Sequence, residues 1–151
     1  MPFIVRRAVP NDAPAIVEFN RRLASETENV TLDLRVLGPG VAAVLADSSR
    51  GRYFVADDAG NVIGQLMVTY EWSDWRNGWI WWIQSVYVRA DRRKSKVFRS
   101  IFQFAVAQAR AEGNVVAMRL YVEQENHPAQ ETYKRLGFEE MHFFLMQKLL
   151  D

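Results

Sequence analysis

Apolar and polar positions alternate in recognisable blocks along this chain. Phe3 to Val9 reads as a first strand, closed by Pro10-Asn11-Asp12. Asn11 or Asp12 can cap a helix whose apolar positions are Ala13, Ile16, Val17, Phe19 and Leu23, with Pro14 in its first turn. The polar, acidic run Ala24 to Val30 predicts a loop. Leu32 to Leu45 supports a second helix or a pair of short turns, interrupted by Gly38-Pro39-Gly40. Arg52 to Ala56 and Val62 to Trp72 form a hairpin around the turn signal Asp57-Asp58-Ala59-Gly60-Asn61. Ser73 to Gly78 is a second turn, and Trp79 to Val88 a long strand. Lys96 to Glu112 is the main helix, with Phe98, Ile101, Phe102, Ala105 and Ala109 at helical spacing and Gly113 as C-cap. Val115 to Val122 is apolar on both faces, the pattern of a strand covered on both sides. Pro128 to Leu136 is a short helix ended by Gly137, with Phe138 as its hydrophobic partner, and Glu140 to Leu150 is a last strand. The order β-α-α-β-β-β-α-β-α-β predicts a mixed sheet with helices packed on it.

The junction of the long strand and the main helix concentrates charge. Arg89, Arg92, Arg93, Lys94, Lys96 and Arg99 lie between Val88 and the body of the helix. A helix N-terminus offers unpaired N–H groups and partial positive charge, so a basic turn placed there is suited to an anion such as a phosphorylated cofactor. The formal net charge of the 151-residue chain is only +1, so the basic turn is a local feature and no overall field recruits nucleic acid.

Composition narrows the rest. With 49% hydrophobic and 25% charged residues the chain is close to a globular domain, and an ordered chain is the expectation. Its length suits one domain, residues 1–151. There are no cysteines, so disulfides, thiolate metal sites and a cysteine nucleophile are excluded, and two histidines, His127 and His142, predict no metal site. No signal peptide pattern and no apolar run of about 20 residues appears, and a cytoplasmic protein off the membrane is the expectation.

Two segments carry a family resemblance. The strand Trp82-Ile83-Gln84-Ser85-Val86-Tyr87-Val88 leads into Arg93-Lys94-Ser95-Lys96-Val97-Phe98 and then a helix. Further on, a strand is followed by Asn126, by Ala129 three residues later, by Tyr133, and by Leu136-Gly137-Phe138. Over nearly its whole length the chain resembles the GNAT N-acetyltransferase superfamily. The resemblance implies an α/β (α+β) fold: a mixed, mostly antiparallel central sheet, helices on both faces, and a splayed pair of parallel strands at the cofactor site. It implies transfer of an acetyl group from acetyl-CoA to a primary amine of a small molecule or peptide by direct attack.

Carried over by position, Val86 and Val88 would make backbone contacts to acetyl-CoA. Arg93, Lys94, Ser95, Lys96, Val97 and Phe98 would wrap the pyrophosphate, with Arg99 nearby. Asn126 and Ala129 would meet the pantetheine arm, and Tyr133 would donate a proton to the leaving thiolate. Lys96 stands where the family usually has glycine, and Phe98 where glycine or alanine is common. The alternative reading is therefore a non-catalytic acyl-CoA-binding or protein-interaction module with a degenerate loop.

The base that accepts the amine's proton is left open among Glu26, Glu28, Glu71, Asp74 and Glu123, and Gln84 occupies a strand position where some relatives place a carboxylate. All five tryptophans fall between Trp72 and Trp82. Trp75, with Glu71 and Asp74 beside it, is a candidate to line the site of a cationic acceptor, or to join two copies in a homodimer. The acceptor-site candidates are thus Glu26, Glu71, Trp75 and Gln84.

Overall fold

The computed structural model describes residues 2–151; Met1 lies outside them. The chain divides into two compact units, residues 1–120 and 121–151.

The first unit is built on a five-stranded sheet in the order β1-β2-β3-β4-β5: β1 (Ile4–Arg7), β2 (Arg52–Asp58), β3 (Asn61–Ser73), β4 (Gly78–Val88) and β5 (Val115–Leu120). The first three pairings are antiparallel, and β4 with β5 is parallel. Helices α1 (Ala13–Glu28) and α2 (Leu34–Ala46) cover one face, where Ile16 and Val41 pack with Tyr53 and Val55. Helix α3 (Val97–Glu112) covers the other, with Phe104 edge-on to Phe54 at 5.5 Å. Gly113, in a left-handed conformation at φ 83°, closes α3 as the sequence predicts.

Three expectations need correction in this unit. Ala24 to Glu28 is helical, not a loop. Ala24 is buried against the core and Glu26 is tied to β4, so tertiary contacts extend α1 through a polar sequence that has little helical pattern of its own. Helix α2 is continuous through Gly38-Pro39-Gly40. An internal proline costs roughly 3 kcal/mol; Asp33 capping the Arg35 N–H at 2.9 Å and the burial of Val41 offset it. Strand β5 ends at Leu120, and among the described residues it pairs with β4 alone and has no buried residue.

The second unit holds α4 (His127–Arg135). Its end matches the sequence reading: the Phe138 N–H donates to the Tyr133 carbonyl at 3.0 Å across Gly137 at φ 99°, and the Phe138 and Tyr133 rings meet edge-on at 5.8 Å. The last strand predicted over Glu140–Leu150 is not formed. Residues 138–151 carry no regular secondary structure, since β-competent side chains make a strand only when a neighbouring edge completes the ladder.

Candidate functional site

Strand β4 carries a defect at its far end. Gln65 faces Tyr87 and Met67 faces Gln84, so Leu66 alone opposes Ser85 and Val86. This is a β-bulge, and Ser85 sits at φ 52°, in the left-handed region. A buried polar chain holds it. Gln65 Nε2 donates to the Ser85 carbonyl at 2.9 Å and to Asn20 Oδ1 at 3.1 Å, and Asn20 Nδ2 donates to the Tyr53 hydroxyl at 3.2 Å. Burial pushes the Tyr53 phenol up, against the pull of its hydrogen bonds with Asn20 and Ser85.

The bulge lies where β4 loses its parallel neighbour. The β4–β5 ladder runs from Trp79 and Val115 to Ile83 and Leu120 and stops there. Beyond Ile83 the strand continues for five residues, Gln84 to Val88, paired on the β3 side only. β4 and β5 are the parallel pair of the mixed sheet that the resemblance implies.

After Val88 the chain makes a short 3-10 turn over Ala90–Arg92 and enters α3. Charge in this turn divides into two sets. Arg89 pairs with Asp91 at 2.6 Å, and Arg92 with Asp58 at 2.7 Å, both of the latter side chains largely buried. Arg93 donates to the Val88 carbonyl and to Glu26, each at 2.8 Å, and its guanidinium lies 5.0 Å from the Tyr87 ring centre. Among the described residues, Lys94, Lys96 and Arg99 form no ion pair, and all three are exposed. The positive φ of this loop falls on Lys94, at 61°, whereas Lys96 has the ordinary φ of −89°. A lysine at position 96 therefore carries no backbone strain. The Ser95 hydroxyl donates to the Arg92 carbonyl and closes the turn.

Lys96 is the N-cap of α3 and gives no side-chain cap; the first helical bond is from the Ser100 N–H to the Lys96 carbonyl at 2.9 Å. The N–H groups of Val97, Phe98 and Arg99 thus precede the hydrogen-bonded body of the helix, the arrangement that binds anions. Gly64 seats this helix start on β3. A Cβ there would lie 2.9 Å from Val97 Cγ1 and 3.2 Å from Ile101 Cδ1. Phe98, where a smaller residue is common in the family, stacks on Phe102 at 6.1 Å.

A depression of about 180 Å3 opens between α1 and the end of β4, lined by Leu23, Glu26, Val86, Tyr87, Val88 and Arg93, with Thr27. It brings together three residues expected at the cofactor site and one expected at the acceptor site. The Tyr87 hydroxyl donates to Glu26 Oε2 at 2.6 Å. That bond, then the Arg93 pair, holds the Glu26 carboxyl below the usual carboxylate range, while burial and Glu26 push the Tyr87 phenol up.

Glu71 and Gln84 share the α1 face of the sheet. Glu71 accepts from Trp82 Nε1 at 2.9 Å and Gln84 donates to the Thr69 hydroxyl at 2.6 Å. Trp75 is in the β3–β4 turn and 96% exposed. Eight residues of β4 separate that turn from Val86, about 26 Å at ~3.3 Å per residue. The structure does not bring Trp75 to the depression.

Asn126, Ala129 and Tyr133 belong to the second unit. Asn126 is the N-cap of α4, its Oδ1 accepting from the Ala129 N–H at 3.3 Å. Gln130 Nε2 donates to the carbonyls of Glu123 and Gln124, each at 2.9 Å, and braces the loop before the helix. Burial pushes the Tyr133 phenol up.

The sequence reading missed Gln65, Asn20, Tyr53, Tyr87 and Gly64. One signal was present: Gln65 interrupts the apolar run from Val62 to Val68, where a fully buried amide needs a partner.

Comparison with known proteins agrees with this geometry. A model of the acetyltransferase (GNAT) family matches residues 20–138. The crystal structure of a possible acetyltransferase from Clostridium difficile 630 is similar at a TM-score of 0.92 and 40% identity, over 100% of this chain and 99% of that one. An integron cassette protein from the mobile metagenome of Cole Harbour Salt Marsh shares the fold at a TM-score of 0.83 and 21% identity, over 97% and 90% of the two chains. A predicted acetyltransferase from Clostridium acetobutylicum, solved with acetyl-CoA, does so at 0.79 and 17%, over 97% and 96%. A search of curated proteins gave no match. The match over residues 20–138, together with the mixed sheet and its parallel β4–β5 pair, shows that the chain belongs to the GNAT acetyltransferase family.

Proposed function

We propose that residues 1–151 form one cytoplasmic acyl-CoA-binding domain that moves an acetyl group from acetyl-CoA to a primary amine of a small molecule or peptide by direct attack. The observation that carries this reading is the bulged, one-sided end of β4 beside the uncapped start of α3. A bulge leaves backbone groups outside the ladder, available to a ligand. The residues present fit acetyl-CoA. Lys94, Lys96, Arg99 and the first-turn N–H groups of α3 suit a pyrophosphate, with Arg93, Ser95, Val97 and Phe98 shaping the turn. Val86 and Val88 offer backbone contacts along the parted strand.

Acetyl-CoA supplies the activated thioester. The chain's task is to hold the amine close and aligned, which lowers the barrier without covalent participation. Asn126 and Ala129 would meet the pantetheine arm. Tyr133 would donate the proton that the departing thiolate takes up; a phenol raised above its ordinary value stays protonated at neutral pH. Glu26 is better suited to fixing Arg93 and Tyr87 than to accepting a proton, because its carboxyl is held below the usual range. Glu71, Gln84 and, for an extended acceptor, Trp75 remain the acceptor-side residues of this reading.

Calorimetric titration with acetyl-CoA at low and moderate salt tests it. Micromolar binding at one site per chain, weakened by salt and followed by acetylation of members of an amine panel, is expected. A folded chain that binds no acetyl-CoA, while Lys96→Gly does, overturns the catalytic reading in favour of the degenerate-loop module.

A further inference from the structure

One hydrogen bond closes the strand edge that acetyl-CoA binding needs open. The Arg89 N–H donates to the Ile63 carbonyl at 2.9 Å, and Gly64 faces Val88 in the same ladder. Antiparallel pairs alternate between hydrogen-bonded and non-hydrogen-bonded, so the N–H and C=O of Val88 point away from β3. They point to the side of β4 that β5 pairs only as far as Ile83. There the Val88 carbonyl has a partner from within the chain: Arg93 Nε donates to it at 2.8 Å. The same guanidinium donates to Glu26 Oε1 at 2.8 Å and lies 5.0 Å from the Tyr87 ring centre. Arg93 and Glu26 both line the depression between α1 and the end of β4.

This ion pair differs from the other two of the basic turn. Arg89 and Asp91 are two residues apart, and the Arg92–Asp58 pair is largely buried. Arg93 and Glu26 are 43% and 42% exposed, and they tie α1 to the turn. So exposed a pair contributes little, and a polyanion can compete for its arginine. Glu26 keeps its place without Arg93, because its other oxygen, Oε2, accepts from the Tyr87 hydroxyl at 2.6 Å.

We infer that Arg93 is a latch that acetyl-CoA displaces, and that Glu26 holds the latch shut. The inference rests on the acetyl-CoA reading above. A pantetheine amide takes the Val88 carbonyl from Arg93 Nε, and the guanidinium turns to the phosphates. Glu26 Oε1 is then left facing the depression, on a carboxylate that Tyr87 keeps in position. A carboxylate released in this way suits the ammonium group of a cationic acceptor. Cofactor and acceptor are thus coupled through one ion pair, with Glu26 as the positioning residue.

Calorimetry with acetyl-CoA on the full chain, Glu26→Gln, Arg93→Met and the double variant tests the latch. Glu26→Gln removes the charge but keeps the shape and an acceptor for Tyr87. It is expected to tighten acetyl-CoA binding about two- to fivefold, the range of an exposed ion pair. In the Arg93→Met background the same change is expected to leave the affinity unaltered, since residues that act through one another are not additive. In heteronuclear NMR spectra the Arg93 Nε–H signal, identified by its loss in Arg93→Met, is expected to move on saturation with acetyl-CoA. Equal tightening in both backgrounds is charge repulsion without a latch and overturns the inference. So does a Glu26→Gln chain that binds no tighter than the parent, or an Arg93 signal that acetyl-CoA leaves in place. If none of the four chains binds acetyl-CoA, the cofactor reading itself falls and the inference with it.

Discussion

Gln65 on β3 holds the main chain of β4 out of register: its Nε2 donates to the Ser85 carbonyl at 2.9 Å from a side chain with no exposed surface. Replacing it with leucine keeps the volume but leaves that carbonyl and Asn20 Oδ1 without their donor. An unsatisfied buried polar group costs about 1–3 kcal/mol. We expect Gln65→Leu to lower the urea midpoint accordingly and to weaken acetyl-CoA binding at least tenfold. Unchanged affinity in a destabilised variant would limit Gln65 to a structural role.

Gly64 sets the distance between α3 and the sheet. Overpacking of this kind costs about 1–3 kcal/mol, and here it acts on the helix start proposed to hold the pyrophosphate. Gly64→Ala should therefore reduce acetyl-CoA affinity by more than an equally destabilising core change such as Val41→Ala. Urea titration and calorimetry on both variants make the comparison.

Tyr133→Phe keeps the ring that meets Phe138 at 5.8 Å and removes the hydroxyl alone. If the phenol is the proton donor, kcat falls about a hundredfold, within the usual range for general acid catalysis, with acetyl-CoA affinity unchanged. The alkaline limb of kcat for the parent chain should lie above pH ~10, because burial raises this phenol. A wild-type rate in the variant would remove Tyr133 from the mechanism.

Acid should weaken the β1 end of the sheet. Arg6 reaches Asp12 at 2.8 Å and Asp57 at 3.0 Å, and the Arg6 bond holds the Asp12 carboxyl below its ordinary value. A lowered carboxylate contributes stability that is full above the ordinary value of about 3.9 and is lost as pH falls through the folded one. Asp12→Asn should cost about 1–3 kcal/mol at pH 7, less than the ~3–5 kcal/mol of a fully buried pair. The difference from the parent should shrink in urea titrations as pH falls through the lowered folded value.

The sequence made most of the fold legible because its long elements are strongly patterned. The Asp57–Asn61 hairpin turn, the Gly113 cap and the Gly137–Phe138 helix end all stand where the residue types place them. The misses share a cause: long-range contacts outweighed local preference. Glu26 is helical because Tyr87 and Arg93, far away in sequence, hold it. Residues 140–150 read as a strand, but a strand needs an edge, and sequence does not say which edge or whose. At the site, the basic turn was legible as charge, but not its division: which arginines are spent on Asp58, Asp91 and Glu26, and which cations stay open. Position 96 looked like a missing glycine, whereas the turn takes its left-handed residue at Lys94.

The bulge at Ser85 divides β4 into two half-strands of opposite phase. Gln84 and Tyr87 face the same side of the sheet although an ordinary strand would set them apart. A saturation scan along β4 should therefore show its two-residue rhythm of tolerance slip by one beat between Gln84 and Tyr87. Deleting Ser85 would make the ladder regular with Tyr87 still opposite Gln65, but it would remove the carbonyl that Gln65 Nε2 holds, so the extra residue supplies backbone outside the ladder and does not decide which way Tyr87 faces.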